Sequence, residues 1–415
     1  AEKNYSISGV NELEFIYRKM TENYEDTFDD EYKSNFSNKL QLQFQYKLFR
    51  VGLKYEYYHP KYDQFALTIY DTHDEKNENY FEEYYALFET DNWLIRAGTF
   101  DASIGSGMIL NCFYNEDFDE DSSLIGLYTN AYFDKWQMQL FYGLMENESP
   151  VYEEKDKKDN VGAFDFEYNI TEFLKLGTSY VMHQENQKLD FIDTTDAGEP
   201  KYSNKDFNQK DVISGRINFQ TDLFELSAEY ADSRQYFFRN KEDIDGSALY
   251  SNFTLYLDKF TFSGAYKNYE NFDDKISDLP TVNHSEEPLY YSYTPGSDEE
   301  GLMGEIRFLP NYENEFVVNY SEGWTSDFSI RQSDFYSEFK HEFSFLTIKA
   351  EYEQLEQLDK NNTNWKKEIT PVLTFDFIVK DMPVVIKTEY QYKEKEQGQE
   401  VESYYEPKLQ TEIGY

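Results

Sequence analysis

The side chains most often recruited for catalysis are few and scattered here. Five histidines, His59, His73, His183, His284 and His341, are spread over 415 residues, and Cys112 is the sole thiol. No two histidines stand at metal-ligand spacing, and a lone cysteine builds neither a disulfide framework nor a thiolate cluster. Acid–base or nucleophilic catalysis needs a histidine beside a serine, cysteine or carboxylate partner, and no motif supplies one. The expectation is that this is no enzyme and that its histidines are structural. Two acidic runs could instead hold a hard cation: Asp117, Asp119 and Asp121 at alternate positions, and the turn Asp243-Ile244-Asp245-Gly246. Alternating carboxylates can wrap Ca2+, although neither run has the full calcium-loop pattern with its terminal Glu. Calcium is the one cofactor the sequence admits.

What positions these residues is a succession of strands. Leu40, Leu42, Phe44, Tyr46 and Leu48 alternate with Lys39, Gln41, Gln43, Gln45 and Lys47. Successive side chains of a strand point to opposite faces, so this segment has one oily and one wet face. The alternation returns at Trp136, Met138, Leu140, Tyr142 and Leu144, at Phe224, Leu226, Ala228 and Tyr230, and at Val384, Ile386, Thr388, Tyr390 and Tyr392. Helical spacing is sustained nowhere comparable, and no run approaches the ~18 to 20 apolar residues of a spanning helix.

The connections between strands discriminate among all-β folds. Short links, among them Phe49-Arg50, 90–92, 133–135 and Asp258-Lys259, alternate with long polar segments. These lie at 20–35, 59–79, 100–122, 146–159, 185–209, 237–246, 271–300, 323–332, 356–365 and 395–402. Such a rhythm belongs to an up-and-down antiparallel barrel, here of about 20 strands, whereas a sandwich favours strands of ~5 to 6 residues. The expected fold is all-β: a transmembrane β-barrel with long acidic extracellular loops and short periplasmic turns, occupying 1–415 as a single domain. An even strand count with long first and last connections places both termini on the periplasmic side. Ala1-Glu2-Lys3-Asn4 is expected to follow a removed signal peptide. Tyr415, with Ile413 and Leu409 on the same face, is expected to form the aromatic-ended strand used in outer-membrane assembly.

Charge narrows the partners. Asp and Glu number 81 against 39 Lys and Arg, a net charge of −42, while aromatic residues make up 19% of the chain. Such acidity argues against a nucleic-acid partner, and such aromatic content against a disordered acidic chain. The excess concentrates in the predicted outer loops, for example Glu22, Glu25, Asp26, Asp29, Asp30 and Glu31, then Asp273, Asp274, Asp278, Glu286 and Glu287. A solvated, soluble loop surface accounts for this. The functional alternative is a negative vestibule that concentrates cations, or that binds divalent ions bridging to lipopolysaccharide or an envelope protein.

The inward strand faces are mixed in sign. Lys54, Glu56, Arg96, Arg216, Glu229, Lys349, Glu351, Lys387 and Glu389 are expected to face the lumen, either pairing across strands or lining a pore. About twenty strands enclose more space than side chains fill, so water, a loop or a plug protein must occupy it. Thr99 to Leu110 is the candidate filler. Gly105 and Gly107 free the backbone around Ser106, and the apolar run Met108-Ile109-Leu110 is out of place in a solvated loop. These six residues, 105–110, are expected to fold inward and constrict the pore; a loop capped by its own apolar residues is the plainer alternative.

Arg96-Ala97-Gly98-Thr99-Phe100, Gly105-Ser106-Gly107-Met108-Ile109-Leu110 and Asp121-Ser122-Ser123-Leu124-Ile125-Gly126 resemble an uncharacterised Bacteroidota-type, porin-like outer-membrane barrel family. The strand from Val51 to Pro60 is similar too. The likeness is specific over 36–130 and implies an outer-membrane location and a barrel, without an activity or ligand residues. The expected function is passive passage of small solutes with a preference for cations. A rival from another class is a non-conducting barrel that anchors a larger envelope complex for secretion, adhesion or surface-lipoprotein assembly.

Overall fold

The computed structural model of the chain describes residues 5–17, 34–59, 78–115, 120–146, 158–185, 190–194, 200–203, 208–237, 242–272, 274, 276–284, 298–343, 346–359, 364–379, 382–397 and 400–413. No helix of these residues is long and apolar enough to cross a membrane. Strands account for the regular structure. In chain order they are β1 (Tyr5–Tyr17), β2 (Ser34–Tyr46), β3 (Phe49–His59), β4 (Glu78–Glu89), β5 (Trp93–Phe100), β6 (Ala102–Ile104), β7 (Leu110–Cys112), β8 (Tyr114–Asn115) and β9 (Glu120–Asp121). Next come β10 (Leu124–Tyr132), β11 (Trp136–Glu146), β12 (Lys158–Asn169), β13 (Leu174–Glu185), β14 (Asp190–Thr194), β15 (Pro200–Ser203), β16 (Asn208–Gln220) and β17 (Phe224–Phe237). The remainder are β18 (Glu242–Leu257), β19 (Phe260–Glu270), β20 (Asp298–Asn311), β21 (Asn314–Trp324), β22 (Ile330–Glu342), β23 (Leu346–Asp359), β24 (Asn364–Val379), β25 (Met382–Gln397) and β26 (Glu400–Ile413).

Among the described residues three ribbons, β6 with β7, β8 with β9 and β14 with β15, stand apart from one 20-stranded sheet. Twenty is the number the link rhythm predicts. Pairing is antiparallel and follows the chain: β1 to β2, β3, β4 and β5, then β5 to β10 and β10 to β11. From β13 the ladder passes to β16 and then through each successive strand to β26.

Side chains fix several short turns. The Thr90 hydroxyl oxygen accepts the Asn92 and Trp93 amides at 3.3 and 3.0 Å, and Asn311 Oδ1 accepts those of Glu313 and Asn314 at 3.1 and 3.0 Å. Such hydroxyl and amide oxygens hold a turn without strand partners. One predicted link is displaced: the chain reverses at Lys47-Leu48, not Phe49-Arg50, with Lys47 in the left-handed region at φ 52°. Tyr46 then pairs with Phe49, keeping both aromatics in the sheet. Lys47 accordingly belongs to a turn, not to a strand face.

Four predicted long segments are shorter than expected. Asp243 to Gly246, read as an acidic turn, is strand: Asp243 and Asp245 flank Arg234 of β17, with Asp243 at 2.5 Å from its guanidinium. The cross-strand ion pairs carry the ladder past the point where charge density suggested a loop. Likewise β23 runs to Asp359, β24 starts at Asn364, and only 325–329 separate β21 from β22. Gln397 of β25 already pairs with Glu400 of β26.

The chain divides into two compact units, Ala1–Ala102 with Phe113–Gly162, and Ser103–Cys112 with Ala163–Tyr415. Each is amphipathic in the opposite sense to a soluble protein. In the first, Glu56, Asn130 and Gln139 are buried while Ile7, Leu127 and Leu140 are exposed. In the second, neighbours on one strand differ sharply: Ser179 is 2% exposed and Tyr180 44%, Ser214 4% and Ile213 58%, Glu229 2% and Tyr230 49%. Water-soluble folds bury their apolar face; here the polar face is the covered one. Near the short turns of the second unit the outer face carries a row of rings. Phe260, Phe308, Phe316 and Phe339 follow one another at centroid spacings of 4.5, 6.1 and 4.8 Å.

Candidate functional site

The covered face of β12, β13, β16 and β17 carries a cluster of charges at one level. Register places Arg216 opposite Gly177 on one side and Glu229 on the other. Gly177 makes the room: a Cβ there would sit 2.9 Å from Arg216 Nε and Nη2. The guanidinium Nη2 donates to Asp165 Oδ1 at 2.6 Å and to Glu167 Oε1 at 3.2 Å, and Nη1 lies 3.8 Å from Glu229 Oε1. Ser179 donates to Asp165 and accepts from Arg216, while Ser214 donates to Glu229 Oε1 at 3.0 Å. Three carboxylates around one guanidinium form a tight but negatively unbalanced network, and buried charges persist only when hydrogen-bonded.

The missing donors come from the loop picked out in the sequence. β6 and β7 form a hairpin whose tip, 105–109, reaches this network. The Ser106 amide and hydroxyl both donate to Glu229 Oε2, at 3.0 and 2.8 Å. Gly105 turns the chain at φ 61°, and any Cβ there would collide with the Glu229 carboxylate and the Arg216 side chain. Gly107, at φ 87°, closes the turn by donating its amide to Ile104 O at 3.0 Å. Glycine is thus required twice, for handedness and for close approach. Ile104, Met108, Ile109, Leu110 and Cys112 are all buried. The apolar run is therefore packed away, not solvated.

A second segment, read from its charge as part of an acidic outer loop, lies beside the hairpin. The Asn111 amide donates to Ile276 O at 2.7 Å, the Asp278 amide donates to Gly107 O at 3.1 Å, and Asn111 Nδ2 donates to Asp278 Oδ2 at 3.2 Å. Phe272, Ile276 and Val282 are buried, the Tyr269 hydroxyl donates to Pro280 O, and His284 stacks on Tyr336 with centroids 3.5 Å apart. Asp274 anchors this segment to the strands: His183 Nδ1 lies 2.9 Å from its Oδ1, and Lys210 Nζ lies 3.9 Å from its Oδ2. Lys210 also donates to Phe272 O at 3.1 Å. Burial alone would raise the Asp274 carboxyl; the charge and hydrogen bond of His183, with Lys210 and the Ile276 amide, outweigh it and hold it below the usual carboxylate value. Asp274, expected in a solvated acidic loop, is instead enclosed and paired.

The other predicted wall residues lie on paired, polar strand faces. In the first unit Glu56 is fully buried, with Lys54 and Lys39 at 3.5 and 3.6 Å, and Arg96 pairs with Glu83 while stacking 4.1 Å over Tyr85. In the second, Lys349 bridges Glu338 and Glu351 at 3.1 and 2.8 Å, and Glu389 receives Lys387 at 3.8 Å and Lys408 at 3.3 Å. The calcium candidates Asp117 and Asp119 lie outside the described residues, as does the side chain of Asp121. So do the acidic segment 20–33, His73 and Tyr415. Among the described residues no three His, Cys, Asp or Glu side chains are grouped to hold a metal.

Sequence reasoning named His183 as structural and Asp274 as an outer-loop acid, but did not bring them together with Lys210. His183 and Lys210 share the alternation of the wall strands, so their facing was readable, but Asp274 lies 91 positions from His183.

The chain is similar to the structure of Pseudomonas aeruginosa OpdK with vanillate (12% identity, 94% of this chain and 97% of that one, TM-score 0.46). It is also similar to Pseudomonas aeruginosa OccK5 (OpdH) (12%, 97% and 98%, TM-score 0.45) and to the Vibrio cholerae outer-membrane protein OmpT in a trimer form (11%, 91% and 92%, TM-score 0.37). No curated protein matches the sequence. A family of unknown function, DUF6029, matches residues 1–297, which span both the 36–130 resemblance and the hairpin. The chain belongs to that family, DUF6029.

Proposed function

We propose that this chain is a porin-like channel of the outer membrane, its sheet closing into a barrel whose covered polar face borders an aqueous passage. One observation carries the reading: on both units the polar face is covered and the apolar face exposed, the arrangement that lipid outside and water inside stabilise. The hairpin tip at 105–110 is the constriction. Both termini lie on the periplasmic side and the long loops face outward. The charges on the strand faces are largely paired, so the preference for cations arises from the acidic loops and the overall charge of −42.

The test is planar-bilayer conductance of the purified, folded protein with a salt gradient across the membrane. Stable, cation-selective steps support the channel. Silence from a folded barrel overturns it and favours a filled lumen, hence an anchor or scaffold in an envelope complex; the two segments packed together on the polar face are what such a filling would consist of.

A further inference from the structure

Two contacts hold the hairpin tip, and they differ in kind. At Ser106 it is bonded directly to a wall carboxylate, Glu229. At Gly107 and Asn111 it is bonded to the neighbouring segment 276–284, through the Asp278 amide and carboxylate and the Ile276 carbonyl. That segment has its own attachments to the wall, His284 stacked on Tyr336 and the Tyr269 hydroxyl on Pro280 O among them, and one attachment is ionic. Asp274 sits against His183 of β13 and Lys210 of β16, which face each other in register. His183 and Lys210 are 2% and 5% exposed, so the clasp is shielded from the water that weakens surface ion pairs. Among the described residues the Asp274 carboxylate bonds to His183, Lys210 and the Ile276 amide and not to the hairpin, yet the chain of bonds from it to Asn111 and Gly107 is short and continuous.

We infer that Asp274, through its clasp with His183 and Lys210, is a positioning residue for the constriction: it fixes the 276–284 segment to the wall, and the segment fixes the hairpin tip. As far as the constriction is concerned, this rests on the channel reading above. The chemistry favours a clasp over a mere surface pair. Removing the carboxylate takes from His183 and Lys210 their shared acidic partner, so the segment loses the ionic part of its anchor while Lys210 keeps the Phe272 carbonyl. Rigid coupling then transmits the loss to amides that Asp274 never contacts.

The deciding experiment is hydrogen–deuterium exchange on the full-length protein in detergent, comparing wild type with Asp274→Asn, Asp274→Ala and the control Lys349→Gln. Heat-modifiable migration on gels checks that each variant is folded. In Asp274→Ala the peptides covering 276–284 and 105–112 are expected to exchange about tenfold faster, with β16 and β17 unchanged; Asp274→Asn shows a smaller effect and Lys349→Gln none in either segment. Unchanged exchange at 105–112 in a folded Asp274→Ala variant overturns the inference, whether or not 276–284 has loosened. Bilayer recordings of the same proteins separate the two readings. If wild type is silent, the channel reading fails while the exchange result still decides the coupling. If wild type conducts, Asp274→Ala is expected to raise open-state fluctuation, and identical recordings count against the residue alone.

Discussion

Glu229 Oε2 accepts both the amide and the hydroxyl of Ser106, two donors from one residue converging on one oxygen 123 positions further along the chain. Its other oxygen takes the Ser214 hydroxyl and faces Arg216. This wall carboxylate thus ties the hairpin tip to the strands around Arg216.

Gly105 is the residue on which this joint most depends. Replacing it with alanine places a methyl group against Glu229 and Arg216 at a left-handed φ, so both strain and collision follow. A loss of about 1–3 kcal/mol is expected, read as a lower thermal midpoint in detergent, together with altered single-channel conductance. Gly215, whose added Cβ would meet nothing within 4 Å, is the control and should tolerate alanine in both assays.

Arg216 holds together three carboxylates, so its removal should cost more than its pairings suggest. Arg216→Met leaves Asp165 and Glu229 buried without a cation, a loss of about 3–5 kcal/mol. Adding Glu229→Gln should recover part of that loss, because one uncompensated charge disappears. Denaturant unfolding of the single and double variants gives the coupling; strict additivity would show that the two residues do not act together.

Acid should undo the Asp274 clasp. Its folded carboxyl lies below the ordinary value, so the stabilisation is fully present above the unfolded value of about 3.9 and disappears as pH falls through the lower folded one. Exchange protection of 276–284 should therefore hold from neutral pH to about pH 4 and fall off only below it. Loss of protection already between pH 7 and 5 would show that the Asp274 carboxylate is not what holds the segment.

Lipid contact of the exposed apolar face is testable at Ile213, which is 58% exposed while Ser214 beside it is 4%. Ile213→Arg should destabilise the protein folded into bilayers by about 2–4 kcal/mol if the site lies near the midplane. A water-facing position would tolerate arginine at little cost, and unchanged folding into vesicles would count against the membrane reading.

Cation preference that arises from exposed loop charge must be salt-sensitive. Between about 0.1 and 1 M salt the screening length shrinks from about 10 to 3 Å, and the reversal potential should indicate a permeability ratio approaching unity. A ratio independent of salt would locate selectivity at the buried network around Arg216 instead.

Much of this was readable from alternation alone. The wet and oily faces follow from side-chain periodicity, because strand geometry forces it, and the strand count follows from the rhythm of short and long links. What could not be read shares a cause. Asp243 to Gly246 looks like a turn by composition, yet Arg234 on the neighbouring strand makes it a ladder. The anchoring of 276–284 depends on His183, whose partner is set by folding, not by sequence neighbours. Lys47 turns the chain with a positive φ that composition reserves for glycine or asparagine. Local pattern specifies faces; pairing across distant strands specifies where loops stop.

The inverted faces bear finally on how the sheet finds its register. Sliding one strand by a single residue turns every side chain to the opposite side. In β16 that would push Arg216 into the exposed apolar band and draw Ile213 and Ile217 among carboxylates. An oily face alone is forgiving, since one aliphatic neighbour serves nearly as well as another. The Asp165, Arg216 and Glu229 cluster is not, because charges that miss their partners are left stranded. The wet side thereby proofreads the assembly of the oily one.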